Sequence, residues 1–185
     1  MKKSLGIGIA IGLLALAFAA LPAMASAAPT LVEEGGGALG VGETVVGTST
    51  DLVTETQGFG NFECKKVTLN GEVTQESPAS VAGGGSAEGC TAAGLPAEVS
   101  EISFSDAFEA GGTDTAHLTF VIFVPSVPLL CHYEGTGQTT WTNGSPTIEL
   151  MPTALTPSPA GCPPGTIHGH LALETTSEVP VEVQE

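Results

Sequence analysis

Two of the four histidines of this 185-residue chain stand one residue apart, in the run CPPGTIHGHLALETT. In an extended strand alternate side chains share a face, so His168 and His170 lie side by side, opposite the face that carries Ile167. Imidazoles at this spacing can chelate Zn²⁺ or Cu²⁺, but a closed site needs a third or fourth ligand. His117 and His132 are the candidates, and nothing in the sequence brings them near. The pattern therefore gives a metal-site hypothesis beside a simpler interpretation, two polar residues on an outer strand face.

Other signatures of catalysis are weak or missing. The sequence contains no G-x-S-x-G nucleophile elbow, no calcium loop and no nucleotide-binding glycine motif. A glycosidase needs two apposed carboxylates, and pairs such as Glu98 with Glu101, or Asp106 with Glu109, are inevitable among 20 acidic residues. We therefore expect a non-enzymatic protein with no cofactor beyond the Zn or Cu that the histidines could bind. A small secreted hydrolase is the more distant alternative.

The N-terminus has the layout of a secretory signal. Lysines after the start methionine precede an apolar run, and the small-residue stretch LPAMASAA follows. Cleavage after Ala25 or after Ala27 fits the A-x-A rule, so we assign residues 1–27 to the signal and residues 28–185 to a single domain. The apolar run is short for a membrane span, which needs about 20 residues. The sequence thus predicts a secreted protein, extracellular or associated with the cell surface, with no membrane anchor after cleavage.

Charge excludes two classes of partner. The mature chain keeps only Lys65 and Lys66 against 20 acidic residues, and it has no arginine, so its formal charge is −18. Binding of nucleic acid or of anionic lipid needs clustered cations, which this chain lacks. Because the acids are scattered, they predict a solvated, self-repelling surface. The expected partner is an unidentified extracellular or cell-surface molecule, and the oligomeric state is left open.

The elements that would position these histidines and acidic residues are predicted to be strands, because apolar residues recur with a period of two almost throughout the mature chain. AEVSEISFSDAF alternates with one slip of register, and HLTFVIFV is apolar on both faces, as in a central strand. Asn70-Gly71 and Asn143-Gly144 each predict a hairpin turn. The run SVAGGGSAEGCTAAGLP is interpreted as a Gly/Ala-rich loop. The predicted fold is all-β: an antiparallel β-sandwich, Ig-like or jelly-roll-like, of about ten short strands.

Four cysteines in an exported chain indicate two disulfides. Three pairings are possible, and we favour the sequential one, Cys64 with Cys90 and Cys131 with Cys162. Each bond would close a loop of about 25 to 32 residues and contribute a few kcal/mol in the chain-entropy model. A zinc site is the rival interpretation, but no C-x-x-C spacing supports it.

The order of several short motifs carries a resemblance. The chain contains LVTETQGFGNFECKKVTLNGEV, a Gly-rich stretch to Cys90, LLCHYEGTG and finally GCPPGTIHGHLALETTSEVPVEV. It resembles a group of small secreted proteins of high-GC Gram-positive bacteria whose function is uncharacterised. The resemblance covers nearly the whole mature chain and implies export and a β fold, but it supplies no catalytic residues. The group usually has C-T-Y where this chain has Cys131-His132-Tyr133, which marks His132 as a local variation.

Overall fold

The computed structural model describes residues 27–58 and 60–185, and the regular elements of these residues are all strands. The predicted signal peptide lies outside the described residues, apart from Ala27. No helix that could cross a membrane occurs in the described part of the chain. The all-β prediction is therefore confirmed for these residues.

Eight antiparallel strands pair side to side and close into a ring. Their order around the ring is β2, β5, β6, β9, β10, β11, β12 and β13, and β13 returns to β2. The ring strands are β2 (Thr44–Ser49), β5 (Lys66–Glu76), β6 (Ala79–Glu88), β9 (Glu98–Glu109), β10 (Thr113–Val124), β11 (Leu129–Trp141), β12 (Thr147–Ser158) and β13 (Gly165–Thr175). Side chains alternate between the interior and the outer face along each strand.

Six shorter strands lie outside the ring. β3, β4, β7 and β8 pair in succession and extend the sheet from the first half of β13, while β1 and β14 form a separate two-stranded sheet. These strands are β1 (Thr30–Glu33), β3 (Val53–Thr56), β4 (Gly60–Glu63), β7 (Thr91–Ala92), β8 (Leu95–Pro96) and β14 (Val181–Gln184).

The architecture corrects the predicted sandwich. β12 pairs with β13 from Thr147 opposite Ala172 to Leu155 opposite Gly165, and this pairing joins the two ends of the sheet into a closed barrel. Closure removes the exposed edges that an open sandwich would have to protect. The described residues contain 14 strands rather than about ten, because several short strands continue the sheet outside the ring.

Two local predictions were wrong because glycines that were expected in a turn or a loop lie within paired strands. Asn70 and Gly71 do not form a turn, because β5 continues through them and the hairpin to β6 turns at residues 77–78. The Gly-rich run is mostly strand β6, not a loop, and Gly71 lies directly opposite Gly83. A Cβ on Gly83 would lie 2.7 Å from the Cα of Gly71, so glycine here permits two backbones to approach closely.

Other local predictions are confirmed. The turn at Asn143-Gly144 joins β11 to β12, with Gly144 at φ +74°. The register slip in β9 is a bulge opposite Phe120, where Glu101 has φ +52°.

The two ends of the ring are held differently. The end that contains the β11–β12 turn is covered by β1 and β14, whose Leu31, Val181 and Val183 are at most 1% exposed. We call it the capped end. The opposite end carries both disulfides, Cys64–Cys90 and Cys131–Cys162, which confirms the sequential pairing.

Candidate functional site

The glycine between the two histidines marks a crossing point of the chain. β13 pairs with β2 along its second half and with β3 along its first half, so the β2–β3 link must pass Gly169. A Cβ on Gly169 would lie 2.9 Å from the carbonyl oxygen of Asp51 and from the Cα of Leu52. Its φ of +147° also favours glycine. The H-G-H spacing is therefore explained by backbone packing.

His170 holds the β2–β3 connection against the outer face of β13 through hydrogen bonds to Asp51. Its backbone N–H donates to Asp51 Oδ1 at 3.1 Å, and its Nδ1 lies 2.8 Å from Asp51 Oδ2. This hydrogen bond raises the pKa of His170 and lowers the pKa of Asp51. The arrangement gives His170 a structural partner.

The other histidines lie apart from it. His168 is half-buried opposite Val53, His132 is exposed on β11, and His117 has Nδ1 3.0 Å from Thr136 Oγ1. Within residues 27–58 and 60–185, no three His, Cys, Asp or Glu side chains are grouped so that they could hold a metal ion. Zinc or copper binding by His168 and His170 stays a prediction, and among the described residues no third ligand lies close to both.

Buried acidic side chains form a second, more unusual cluster. Asp106 on β9 and Asp114 on β10 both point into the ring near the capped end, and they are only 7% and 2% exposed. Of the carboxylate pairs considered from sequence, Glu98, Glu101 and Glu109 are exposed. Asp106 therefore meets Asp114 across the sheet rather than Glu109 along its own strand.

Asp114 is held by several donors. Trp141 Nε1 donates to its Oδ1 at 2.7 Å, and the backbone N–H of Glu109 donates to the same oxygen at 3.1 Å. Thr139, directly opposite on β11, donates its hydroxyl to Oδ2 at 3.0 Å. Asp114 is thus a buried carboxylate whose two oxygens both accept hydrogen bonds.

Asp106 lacks comparable partners. Its side-chain hydrogen-bond partner is the same Thr139 hydroxyl, at 3.4 and 3.5 Å from its two carboxyl oxygens, and the backbone N–H of Ala107 is its other donor. A hydroxyl carries one hydrogen, and the shorter contact assigns that hydrogen to Asp114. Asp106 is therefore left either as an anion without a side-chain donor or as a neutral acid that donates to the oxygen of Thr139.

Electrostatics favour the neutral form. Burial, and next the charge of Asp114, raise the pKa of Asp106 to about 7. Burial also raises the pKa of Asp114 to about 6, against the lowering effect of its hydrogen bonds. Between pH 6 and pH 7 the pair therefore holds about one proton, mainly on Asp106.

An apolar cavity of about 70 Å³ adjoins Asp106 and Thr139. Its walls are mainly aliphatic and come from the ring strands and from β1. They include Leu31, Val45, Leu69, Ile148, Leu171 and Leu173. On this measure of volume one water molecule needs roughly 10–15 Å³, so the cavity exceeds the ordinary voids of a packed interior. The ring thus encloses apolar space with one acidic group at its wall.

Small residues create this space. Gly47 lines the cavity on β2, and Gly71 lies on the neighbouring strand β5. The ring of Phe104 lies over Gly71, where an added Cβ would be 2.7 Å from Phe104 Cζ. Glycines at inward positions have no side chain to fill the interior, and the ring of Phe104 occupies only part of the space that they leave.

Sequence reasoning missed Asp114 and Thr139, although a signal was present. Asp106 alternates with Phe104 and Phe108, so it shares the inward parity of two large apolar residues. An acid at such a position is a buried polar group, which is the informative exception among interior residues. The pairing of β9, β10 and β11 that brings the three side chains together could not be read locally.

Comparison of the chain with protein-family models, curated proteins and solved structures finds no match. The resemblance to small secreted proteins of high-GC Gram-positive bacteria stays a prediction.

Proposed function

We propose that this chain is a secreted, non-enzymatic binding protein that holds a small apolar molecule inside its ring of strands. The supporting observation is the 70 Å³ apolar cavity that adjoins Asp106. Eight-stranded barrels of this kind have an interior just wide enough to be filled by side chains or to hold one small ligand. Here glycines on the wall leave room for the second outcome. Binding sites typically combine an apolar lining with a few polar groups, which matches this interior.

The acidic pair supports binding more than hydrolysis. In glycosidases two carboxyl groups flank the bond to be cleaved, and one of them must be free to act as a nucleophile or base. Here one threonine hydroxyl lies within 3.5 Å of both Asp106 and Asp114, and Asp114 is occupied by three donors. A carboxylate with its oxygens satisfied in this way is a poor nucleophile, and it serves better as a fixed negative group.

The structure also bears on where the protein works. Two disulfides in the described part of the chain suggest an oxidising, extracellular environment. Secretion to the cell exterior, with or without retention at the cell surface, is part of our proposal and rests on the signal-like N-terminus.

Xenon provides a test of the interior site because it enters apolar cavities without needing any polar partner. We expect the mature protein, residues 28–185, to take up one xenon atom, seen as a saturable change in the ¹²⁹Xe NMR signal. Ala116→Val, which adds two methyl groups at the cavity wall, should abolish the signal. Ala107→Val is the matched control, because Ala107 is an exposed residue on the neighbouring strand.

Two results would contradict the proposal. The first is the absence of saturable xenon uptake by the folded protein. The second is equal uptake by both valine variants, which would place xenon outside the cavity.

A further inference from the structure

We propose that a polar cleft on the outer face of the ring, near the capped end, binds a neutral polyhydroxyl molecule of the size of one hexose. We call it the outer cleft. It is separate from the interior cavity, so this inference goes beyond the proposed function and does not rest on it. The polar side chains that line the outer cleft are Thr140, Thr142, Ser145, Thr147, Glu149 and His170.

Strand register brings three of these side chains into one row. Thr140 on β11 lies opposite Glu149 on β12, and Glu149 lies opposite His170 on β13. The row faces outward because Ile148 and Leu150, the two neighbours of Glu149 along its strand, are buried in the core. A hydroxyl, a carboxylate and an imidazole are therefore adjacent on the surface of the sheet.

Three more hydroxyls extend the row toward the β11–β12 turn. Thr142 follows β11, and Thr147 begins β12 on the same face as Glu149. Ser145 lies in the turn, where its hydroxyl accepts the backbone N–H of Thr147 at 3.2 Å and keeps its own hydrogen available to donate. The capped end holds the turn in place, since the N–H of Gly144 donates to the carbonyl of Val183.

His170 and Glu149 add hydrogen-bonding capacity that the protein does not use. Nδ1 of His170 lies 2.8 Å from Asp51 Oδ2, a contact that orients the ring and leaves Nε2 for a ligand. Within the described residues no ion pair involves Glu149. A carboxylate accepts hydrogen bonds at both oxygens, so Glu149 can receive two neighbouring hydroxyls of one ligand.

The lining favours neutral hydroxyl groups over other ligand classes. Each Thr or Ser hydroxyl both donates and accepts, as does each hydroxyl of a sugar. Anions would meet Glu149 and Asp51 in a chain whose residues 28–185 carry a charge of −18. A metal ion would lack a third protein ligand among the described residues. A cation would gain little from Glu149, because this carboxylate is exposed and exposed ion pairs are weak.

The volume of the outer cleft matches one sugar ring. It is about 330 Å³, against about 70 Å³ for the interior cavity. A cavity of about 150 Å³ accepts benzene, so 330 Å³ corresponds to about thirteen heavy atoms, close to the size of a hexose. At the ligand efficiency of drug-sized molecules, this many atoms give a dissociation constant on the order of 1 mM. Trp141 also lines the cleft, but it is only 7% exposed and adds little stacking.

Titration of ¹⁵N-labelled mature protein with glucose, galactose and mannose tests the site, with backbone amide shifts as the readout. We expect saturable shifts at Thr147, Glu149 and His170 with at least one hexose, and a dissociation constant in the millimolar range. The amide of Leu69, which lines the interior cavity, should not shift.

Two substitutions test the contacts. Glu149→Ala removes the carboxylate and should weaken hexose binding by about fivefold or more. Thr147→Val replaces a hydroxyl by a methyl group of similar size and should also weaken binding, although the shape of the cleft is kept. Glu72→Ala is the matched control and should change nothing, because Glu72 is an exposed glutamate on β5.

Three results would overturn the outer cleft as a hexose site. They are the absence of saturable shifts with all three hexoses, an unchanged affinity in both Glu149→Ala and Thr147→Val, and a preference of about tenfold or more for gluconate or glucosamine over glucose. Methyl glycosides identify the source of the sugar: binding equal to that of the parent hexose assigns the site to the end of a glycan, and loss of binding assigns it to the free sugar. Xenon uptake is not part of this experiment, so its outcome is independent of the test of the proposed function.

Discussion

At the scale of single residues, the interior acids oppose folding above neutral pH. Burying a carboxylate is unfavourable unless donors surround it. Asp114 has three close donors, whereas Asp106 has the longer contacts of Thr139 and the backbone N–H of Ala107. Because Asp106 adjoins the apolar cavity, the same residue both limits stability and gives the interior its chemical character. Sites that bind ligands often retain such locally unfavourable groups.

Asp106→Asn should stabilise the protein at pH 8. The folded pKa values of Asp106 and Asp114, about 7 and about 6, lie above the ordinary value of 3.8, so the folded state binds more protons than the unfolded state in that range. Their contribution to stability is therefore complete below about pH 4 and is lost as pH rises through 6 to 7. An asparagine amide mimics the neutral acid and can donate to Thr139.

The expected gain at pH 8 is on the order of 2–4 kcal/mol in the free energy of unfolding, from a shift of about three pKa units. Urea unfolding at pH 4 and at pH 8 measures it, and the variant should gain little at pH 4, which lies near the ordinary carboxyl pKa of 3.8 and far below the folded value. An equal or lower stability of Asp106→Asn at pH 8 would mean that the folded protein accommodates the ionised form.

At the scale of elements, the two ends of the ring differ in how the chain closes them. Disulfides tie the connections at one end, whereas the capped end is covered by β1 and β14, the first and last strands of the described residues. The backbone N–H of Ala79 donates to the carbonyl of Pro29, and the N–H of Gly144 donates to that of Val183. Terminal strands held by such contacts open more easily than crosslinked ones, so the capped end is the expected route into the cavity.

Leu31→Ala should weaken the cap and enlarge the cavity. Leu31 is 1% exposed and lines the cavity, so removing its side chain leaves space that the ring cannot refill. We expect a loss of about 2–5 kcal/mol in the free energy of unfolding, together with faster exchange of xenon. Leu130→Ala is the matched control, because Leu130 is 49% exposed, and it should cost less than about 0.5 kcal/mol. Equal losses in the two variants would show that β1 is not packed on the ring.

Sequence reasoning predicted the elements best where a local pattern or a single residue decides the backbone geometry. Alternation gave the strands, Gly144 gave a turn, and the sequential pairing of the cysteines proved right. Gly71 misled the prediction because glycine also serves where two strands approach closely, and only the pairing with Gly83 distinguishes the two uses. Ring closure and the meeting of Asp106 with Asp114 depend on pairings between distant strands, which no local pattern encodes.

At the scale of the whole molecule, residues 28–185 carry a formal charge of −18, with two lysines to offset 20 acids. Outward positions on the strands hold most of these acids, so their repulsion acts across the whole surface. High like charge keeps a protein soluble and monomeric but disfavours the compact state.

Salt should therefore stabilise the protein through the surface and leave the interior pair unaffected. The Debye length falls from about 30 Å at 0.01 M to about 8 Å at 0.15 M, which screens exposed charges but not a buried pair. At pH 8 we expect the thermal midpoint to rise by several degrees between these NaCl concentrations, which corresponds to about 1 kcal/mol for a domain of this size. Asp106→Asn should start higher and rise by the same increment, because the two effects act at separate places. A smaller increment in the variant would contradict this separation and would place part of the surface repulsion on Asp106 itself.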